Sequence, residues 1–282
     1  MSGLQGRTAL VTGAASPRGM GRAIVETLAA QGACVAASDI ARPEPDPVME
    51  ALGYQYGAKQ GLEETVAAAR ERGAEAEAIC ADVASPEDVE ALVAQTVARF
   101  GGVDILVNVA GGSWGSNRVG GYDPEQWLRT VRVNLYGPFL TTRFSLPHME
   151  KAGKGVIINI ASVAAIRTHE MLSAYGAAKA GLVQFTRDVA AEYGAQGIRA
   201  NALLPGDIQT DMFAMEMKGQ ALMQGVSQGE AAAAEAQAAP VRRVGLPEDV
   251  AELAAFLASD AASFLTGLAI PVTGGKELPF RK

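Results

Sequence analysis

The sequence predicts an α/β protein of one domain, built on a doubly wound parallel sheet with helices on both faces. Short apolar runs rich in β-branched residues alternate along the chain with longer amphipathic or alanine-rich segments. The first of these runs, Thr8–Thr12, leads through a glycine-rich turn into an amphipathic segment that ends near Ala30. No Pro/Ser-rich linker divides the 282 residues, so a single domain is predicted over 1–282.

Composition limits the functions that the chain can have. Hydrophobic residues make up 49% of the sequence and charged residues 20%, as in a globular protein. The formal net charge of -7 argues against a nucleic-acid or an anionic-membrane surface. The beginning of the chain lacks an apolar signal region, and no apolar run reaches transmembrane length. We therefore expect a cytoplasmic protein whose partners are small molecules or copies of itself.

The cysteines and histidines suggest neither a disulfide nor a metal centre. Cys34 and Cys80 each lie in an apolar, strand-like run, which favours buried and reduced thiols. His148 and His169 are far apart in the sequence and have no Cys/His cluster beside them. We expect no metal site.

The first turn and the second strand predict a dinucleotide site. The turn 13–21 contains Gly13, Gly19 and Gly21 and precedes the first helix, an arrangement that lets backbone N–H groups approach a pyrophosphate. The next strand ends in Asp39, eighteen residues after Gly21. An acid that binds a ribose belongs at this position of a dinucleotide fold.

A second group of residues predicts proton-transfer chemistry. The run Val156–Ile160 is typical of a buried parallel strand, and Ser162 follows its C-terminal end. Tyr175 and Lys179 are four residues apart in an alanine-rich run predicted to be helical through Glu192, so their side chains leave the same face. A nearby cation stabilises a phenolate, so we expect Lys179 to lower the pKa of Tyr175. The pair could then exchange a proton with an alcohol or a carbonyl, whereas without the strand it would indicate only a solvated helix face.

These motifs resemble the classical short-chain dehydrogenase/reductase family, from about Gly6 to about Gly275. The matching residues, in order, are Thr12-Gly13 with Gly19 and Gly21, Asp82-Val83, Asn108-Val109-Ala110-Gly111, Asn134, Ser162, Tyr175 with Lys179, and Pro205-Gly206 with Thr210. The resemblance implies a Rossmann-type domain with a seven-stranded parallel sheet and a nicotinamide cofactor. The chain departs from the family pattern in its first turn, where five residues rather than three separate Gly13 from Gly19.

The resemblance also implies a role for each matching residue. Tyr175 would be the general acid/base, Ser162 would orient the substrate oxygen, Lys179 would also bind the ribose, and Asn134 would hold a water near Lys179. Asp82 would hydrogen-bond the adenine, although it could be only a helix N-cap. The implied cofactor-binding residues are Gly13, Arg18, Gly19, Met20, Gly21, Asp39, Asp82, Val83, Asn108, Ala110, Gly111, Tyr175, Lys179, Pro205, Gly206, Ile208 and Thr210, the last at the nicotinamide carboxamide.

Two segments differ from a minimal version of this fold. A proline-rich stretch predicts an inserted surface loop at about 41–60, near the adenosine end of the cofactor. A methionine- and alanine-rich stretch at about 207–240 resembles the family's substrate lid, although a solvated helix hairpin gives the same pattern. An apolar substrate pocket is predicted from Trp114, Ile166, Met171, Met212 and Met215. Asp211 has no role that the sequence supplies.

The remaining elements complete the predicted domain. Strands are expected at Asp104–Val107 and Ile198–Leu203, and Gln126–Met149 predicts one long helix that contains Asn134. A last helix to Ala258 and a last strand before Gly275 resemble the family's C-terminal elements. In the family these elements, and the helices that carry the catalytic residues, form subunit contacts. A homotetramer of D2 symmetry is therefore expected.

The sequence leaves three functions open, in a definite order. The leading one is an NAD-dependent oxidoreductase that interconverts a secondary alcohol and a ketone, since the Asp39 carboxylate would accept ribose hydroxyls and repel a 2′-phosphate. The rival is an NADPH-dependent biosynthetic ketoreductase, favoured by Arg18 in the first turn. A nucleotide-sensing binding protein without turnover is disfavoured because all four catalytic residues are present. The sequence does not identify the substrate.

Overall fold

A computed structural model, which describes residues 3–40 and 59–278, confirms the predicted α/β fold. Seven parallel strands form one sheet in the order β3-β2-β1-β4-β5-β6-β7. The strands are β1 (Thr8–Thr12), β2 (Cys34–Asp39), β3 (Ala76–Cys80), β4 (Ile105–Asn108), β5 (Gly155–Ile160), β6 (Ile198–Pro205) and β7 (Ala269–Val272). The chain reverses its direction of winding between β1 and β4, which opens a crevice at the carboxyl ends of these strands.

Helices cover both faces of the sheet. They are α1 (Met20–Ala30), α2 (Lys59–Glu71), α3 (Pro86–Phe100), α4 (Pro124–Val131), α5 (Gly137–Ala152), α6 (Ser173–Tyr193), α7 (Asp211–Gln224), α8 (Gln228–Ala238) and α9 (Pro247–Ala258). One hydrophobic cluster joins the sheet to α1, α2 and α9, and a second joins it to α3, α5 and α6. Because both faces are covered, β1 and β5 are buried along their whole length, which explains their continuous apolar sequences.

The predicted long helix around Asn134 is interrupted. Helix α4 passes into a five-residue π-helical turn, Arg132–Tyr136, and continues as α5. The Asn134 side chain bonds within this helical region, because its amide nitrogen donates to the Thr130 carbonyl at 2.8 Å. Single π turns inside α-helices are frequent at functional sites, and this one carries a predicted catalytic residue.

The structure also differs from one smaller prediction, one predicted boundary and one alternative. Cys80 is exposed, because it ends the edge strand β3, while Cys34 is partly buried, and both thiols are free. The inserted loop cannot extend to residue 60, because α2 begins at Lys59; residues 41–58 lie outside the described residues. The N-cap of α3 is Ser85 rather than Asp82, since the Ser85 side chain accepts from the Asp88 amide.

The described residues contain no helix that is both long and apolar enough to span a membrane. This finding applies to 3–40 and 59–278.

Candidate active site

Ser162 and Tyr175 meet at the carboxyl end of β5. Ser162 follows the strand by two residues, and its hydroxyl accepts from the Ala164 amide at 3.1 Å, which fixes the side chain at the start of a short 3₁₀ turn. Tyr175 lies in the first turn of α6, where its phenol is hydrogen-bonded to Ser162. The two hydroxyls therefore converge where one substrate oxygen could contact both.

Lys179 lies one turn further along α6 and is anchored to the sheet. Its side chain is buried, and Nζ donates to the carbonyl of Ile160, the last residue of β5, at 2.8 Å. Nζ is 5.6 Å from the centre of the Tyr175 ring. Burial lowers the pKa of the Lys179 ammonium to about 7, because the charged form loses its water. The amine can therefore gain or lose a proton close to neutral pH.

The pKa of Tyr175 differs from expectation in its direction. It is raised, mainly because burial disfavours the phenolate; the hydrogen bond from Ser162 opposes this effect, and the Glu216 carboxylate adds to it. The prediction that Lys179 lowers the tyrosine pKa is wrong for this structure. The lysine amine is directed to a strand carbonyl, and with a pKa of about 7 it carries only part of a charge at neutral pH.

Asn134 and Lys179 approach each other across a glycine. The Asn134 amide nitrogen donates to the Gly112 carbonyl at 2.6 Å, and its oxygen accepts from the Gly112 amide at 3.3 Å. A Cβ on Gly111 would lie 2.6 Å from that oxygen and 3.3 Å from Lys179 Nζ. Only glycine fits between them. The structure therefore brings Asn134, Ser162, Tyr175 and Lys179 together, while the water held by Asn134 stays a prediction.

The glycine-rich first turn forms a tightly packed cradle. Gly13 has a φ of +69°, and a Cβ there would lie 2.6 Å from the Ala110 amide nitrogen. A Cβ on Gly21 would lie 2.1 Å from the Gly13 carbonyl oxygen. The lengthened turn is held in place by Asp39, whose Oδ2 accepts from the Ala15 amide at 2.8 Å. These residues fit a dinucleotide, since backbone amides and the first turn of α1 surround a space that side chains would fill.

Arg18 is ion-paired with a residue to which the sequence assigned no role. Its Nε donates to Asp211 Oδ1 at 2.6 Å, and Ser16 Oγ donates to Asp211 Oδ2 at 2.7 Å. The Asp211 carboxylate is buried and begins α7, whereas the Arg18 side chain is 64% exposed. The predicted cofactor residue thus connects the first turn to the lid. No local signal could reveal a contact between residues 193 positions apart.

A cavity opens beside the carboxyl ends of β2 and β3, where the adenosine was predicted to lie. It is lined by Asp39, Ile40, Ala81, Asp82, Val83, Ala84, Ala110, Trp114, Arg129, Arg132 and Val133. The Arg129 guanidinium lies 4.7 Å from the centre of the Trp114 ring. Trp114 thus lines this cavity, whereas the sequence placed it in the substrate pocket. Sequence reasoning missed Arg129 and Arg132, although their three-residue spacing just before Asn134 is a helical signal.

The side chain of Asn108, a residue predicted to bind the cofactor, belongs to a buried polar network. Its amide nitrogen donates to Asn159 Oδ1 at 2.8 Å, and its oxygen accepts from Thr141 at 2.7 Å. Asn159 in turn donates to Thr186 at 2.9 Å. These bonds tie β4 and β5 to α5 and α6. Asn108 therefore helps to hold together the elements that carry the site. Asp82 does line the adenosine cavity, and its Oδ1 also accepts from the Ala84 amide at 2.8 Å.

The segment after β6 carries the residues that were predicted to bind the nicotinamide side of the cofactor. Gly206 donates to the Val272 carbonyl at 3.0 Å, and Ile208 is buried. Thr210 is the N-cap of α7, accepting from the Phe213 amide at 3.2 Å. Of the remaining predicted cofactor residues, Pro205 ends β6, Gly19 is the N-cap of α1 and Met20 begins that helix.

The predicted lid is a pair of helices with a small core of its own. Helices α7 and α8 bury a cluster formed by Phe213, Met217, Ala221, Ala231 and Val244. The residues predicted to line the substrate pocket remain accessible: Ile166, Met171 and Met212 are exposed, and Met215 is partly buried. The mobility expected of a lid stays a prediction.

Comparison with known proteins agrees with this architecture. A family model described as enoyl-(acyl carrier protein) reductase matches residues 13–277. The chain belongs to the short-chain dehydrogenase/reductase family, whose members are oxidoreductases that use nicotinamide cofactors. The crystal structure of levodione reductase superposes with a TM-score of 0.86 at 34% identity, covering 98% of this chain and 99% of that one.

Two relatives have names that state their substrates. The chain is 36% identical over 269 residues to cis-4-hydroxycyclohexanecarboxylate dehydrogenase of Sinomonas cyclohexanicum, covering 95% of this chain and 96% of the relative. It is 37% identical over 276 residues to 2,5-dichloro-2,5-cyclohexadiene-1,4-diol dehydrogenase of Sphingobium indicum, covering 98% of each. Such relatives are dehydrogenases and reductases of secondary alcohols and ketones.

Proposed function

We propose that the protein is an NAD-dependent oxidoreductase that interconverts a secondary alcohol and a ketone on a ring compound, with Tyr175 as the general acid/base. The observation that carries this proposal is the convergence of Ser162, Tyr175, Lys179 and Asn134 at the end of β5, beside the glycine cradle. The names of the two relatives, each a ring alcohol dehydrogenase, support the ring compound.

The residues of the site have separate roles in cofactor binding, substrate binding and proton transfer. A bound nicotinamide supplies or accepts the hydride. Gly13, Gly19 and Gly21 would hold the diphosphate, and Asp39 the adenosine ribose. Ser162 holds the substrate oxygen against Tyr175, which donates its proton to a forming alkoxide or removes a proton from the alcohol. Because the pKa of Tyr175 is raised, we expect alcohol oxidation to accelerate as the pH increases.

Lys179 serves as the next proton carrier. With a pKa of about 7 the amine exchanges a proton near neutral pH, and its position between Tyr175 and Asn134 lets it link the phenol to the interior of the site. Lys179 also supplies positive charge to the site whenever it is protonated. Asn134 would complete the relay by holding a water.

The proposed cofactor preference depends on the carboxylates of Asp39 and Asp211. Asp39 ends β2 and would meet a 2′-phosphate with like-charge repulsion. Arg18, which could oppose this repulsion, is paired with Asp211. We therefore expect NAD to be preferred by roughly 10²-fold in kcat/KM, the ratio that about 2.7 kcal/mol produces. Asp39→Ala should raise activity with NADP and lower it with NAD, because it removes both the repulsion and the hydroxyl acceptor.

A second candidate has support from the adenosine cavity. Arg129 and Arg132 line the same cavity as Asp39, so an NADPH-dependent ketoreductase could place the 2′-phosphate near these two guanidinium groups. Steady-state kinetics with both cofactors separate the candidates. A kcat/KM with NADP that equals or exceeds the value with NAD in the unmodified protein would favour the NADPH-dependent ketoreductase over the NAD-dependent enzyme.

The experiment that tests the proposal is a screen of cyclic secondary alcohols with NAD and with NADP, followed at the absorbance of the reduced nicotinamide. We expect oxidation of cyclohexanol and substituted cyclohexanols with NAD. Absence of turnover with every alcohol, together with measurable binding of NADH, would instead support the nucleotide-sensing alternative.

Two exposed apolar patches support the homotetramer. On the α5 and α6 side, the Tyr136 and Phe139 rings stack at 5.9 Å and Phe139 contacts Phe185 edge-on at 6.1 Å. On the β7 side, Phe264 is completely exposed and Leu268 is 38% exposed. Large exposed apolar groups mark association surfaces. Light scattering should give a tetramer, and Phe264→Glu should reduce it to dimers; a monomer at all concentrations would exclude the assembly.

A further inference from the structure

A short segment of turns, 273–278, follows β7, and we call it the C-terminal strap. Its backbone is bonded to the chain that follows α8, because the Val241 amide donates to the Gly274 carbonyl at 3.3 Å. Gly275 has a φ of +83°, and a Cβ there would lie 3.0 Å from a carbon of the Pro240 ring. The strap therefore packs closely against the end of the lid region.

The side chain of Lys276 joins this strap to two other segments. Its ammonium donates to the carboxylate of Glu235, in α8, and to that of Asp207, in the segment after β6. The side chains of Lys276 and Glu235 are 23% exposed and that of Asp207 is 27% exposed. Such charge-assisted bonds are strong, and salt screens them less than it screens a fully exposed pair.

The backbone of Lys276 holds a third segment. The Arg167 guanidinium donates from Nη1 to the Lys276 carbonyl at 3.2 Å. Arg167 belongs to the loop 163–172, which leads from β5 to α6 and which we call the substrate loop. This loop carries Ile166 and Met171, two residues of the predicted substrate pocket. One residue of the strap thus contacts the substrate loop, the segment after β6 and the lid.

These contacts concern the predicted substrate side of the site rather than the proposed proton-transfer residues. The substrate loop begins directly after Ser162, and the lid is the predicted cover of the substrate. Lys179 is held separately, by the carbonyl of Ile160. A change at Lys276 should therefore loosen the loop and the lid and leave the catalytic end of β5 in place.

We propose that Lys276 is a positioning residue that holds the substrate loop and the lid in one arrangement before the substrate binds. The inference rests on the proposed function for its substrate, a ring alcohol, and adds to it a residue outside the proposed catalytic group. Binding to segments that are already ordered loses less conformational entropy, so the contribution of Lys276 falls on substrate affinity rather than on the chemical step.

Steady-state kinetics test this contribution. Lys276→Met removes both ion pairs and keeps a long side chain, so KM for cyclohexanol should rise about tenfold while kcat changes by less than about twofold. Lys276→Arg keeps the charge and should bring KM back to within about threefold of wild type. The matched control is Lys154→Met, which removes the pair with Asp104, at 3.4 Å, beside the amino ends of β4 and β5. It should keep the wild-type KM.

Hydrogen exchange tests the link between the segments without turnover. In the substrate loop the probes are the amides of Ile166 and Arg167, which donate to the Val163 carbonyl. Lys276→Met should accelerate exchange about tenfold both at these amides and in α8, while β4 and β5 stay unchanged. Glu235→Gln should accelerate α8 more than the loop.

Arg167→Gln gives an independent test, because Arg167 is exposed and its replacement leaves both ion pairs of Lys276 intact. It should accelerate exchange in the substrate loop and raise KM for cyclohexanol about threefold, with kcat unchanged.

Unchanged exchange in the substrate loop of Lys276→Met, or an unchanged KM in both Lys276→Met and Arg167→Gln, would overturn the proposal. So would faster exchange in β4 and β5 to the same extent as in the lid, because Lys276 would then contribute only to overall stability. If the wild type oxidised no alcohol, the proposed function would fail, and the exchange comparison would still decide whether Lys276 holds the loop and the lid together.

Discussion

The catalytic end of the sheet and the lid are held by different kinds of contact. Lys179 is buried and bonds to a strand carbonyl, and Ser162 is oriented by a backbone amide. The lid depends on ion pairs with partly exposed members, Arg18 with Asp211 and Lys276 with Glu235, around a small core of its own. The proposed catalytic residues are thus held by backbone groups, whereas the predicted lid is held by pairs of side chains that can be replaced one at a time.

The largest expected effect lies at the catalytic end. Tyr175→Phe removes the transferable proton and keeps the ring, so turnover should fall by at least ~10²-fold, with dinucleotide affinity little changed. Turnover is measured by nicotinamide absorbance and affinity by cofactor fluorescence. Tyr193→Phe, at the other end of α6, is the control and should behave as wild type. Near-native turnover of Tyr175→Phe would show that Tyr175 is not the general acid/base. The contrast between the catalytic end of the sheet and the lid would then lose its basis.

A smaller effect concerns the stability cost of the buried lysine. The folded-state pKa of Lys179 is about 7 and its ordinary value is 10.5. Between these values the unfolded chain binds more protons, so this group makes the folded protein more stable as the pH rises. The unfolding free energy of wild type relative to Lys179→Met should therefore increase between pH 7 and 9 by up to about 1.4 kcal/mol per unit.

Urea melts at both pH values measure this difference, and the stabilising effect of Lys179→Met should be greatest below pH 7. Lys151→Met, at an exposed position of α5, should show no such trend. A flat difference would mean that Lys179 keeps its ordinary pKa. Turnover and cofactor affinity should both fall in Lys179→Met, because its charge and its predicted ribose contact are lost together.

The smallest effect concerns the tie between the lid and the first turn. Asp211→Asn weakens the pair with Arg18, a contact between a buried carboxylate and an exposed guanidinium that is worth about 1 kcal/mol. Hydrogen exchange in the first turn of α7 should accelerate about fivefold, while β4 and β5 stay unchanged. Lys218→Gln, which removes a lid charge that has no ion pair among the described residues, is the control.

The same exchange experiment tests lid mobility in the wild type. The segment from α7 to α8 should exchange faster than the central strands, since its core is small and rich in alanine. Protection equal to that of the strands would make the two regions equivalent and favour a packed structural hairpin.

The sequence predicted the fold well, and it placed Ser162, Tyr175 and Lys179 in one group, because both are encoded locally; their catalytic roles stay a prediction. The sequence separation of Gly21 and Asp39 spans one helix and one strand, and Tyr175 and Lys179 lie one turn apart on one helix. Buried strands are equally evident, since parallel strands covered on both faces have near-continuous apolar sequences.

What the sequence could not predict depends on contacts between distant segments. The Arg18 and Asp211 pair joins residues 193 positions apart, and the direction of the Tyr175 pKa depends on how deeply α6 buries the phenol. The structural role of Asn108 was missed for a related reason. Its motif position indicates the cofactor, but its side chain faces the interior, where Asn159 and Thr141 use both ends of the amide.

The buried amide pair has a consequence for how the chain folds. Asn108 and Asn159 are register partners on adjacent strands, and the Asn108 amide nitrogen donates to Asn159 Oδ1 inside the sheet. A slip of β4 against β5 by one residue would break this bond and leave one buried donor and one buried acceptor unpaired, at a cost of about 1–3 kcal/mol each. The β-branched sequences of β4 and β5 would otherwise tolerate several strand registers. The bond between Asn108 and Asn159 favours one of these registers during folding. Gly111 lies in the loop after β4 and Ser162 in the loop after β5. The register of the two strands therefore also sets the positions of these two loops relative to each other along the strand direction.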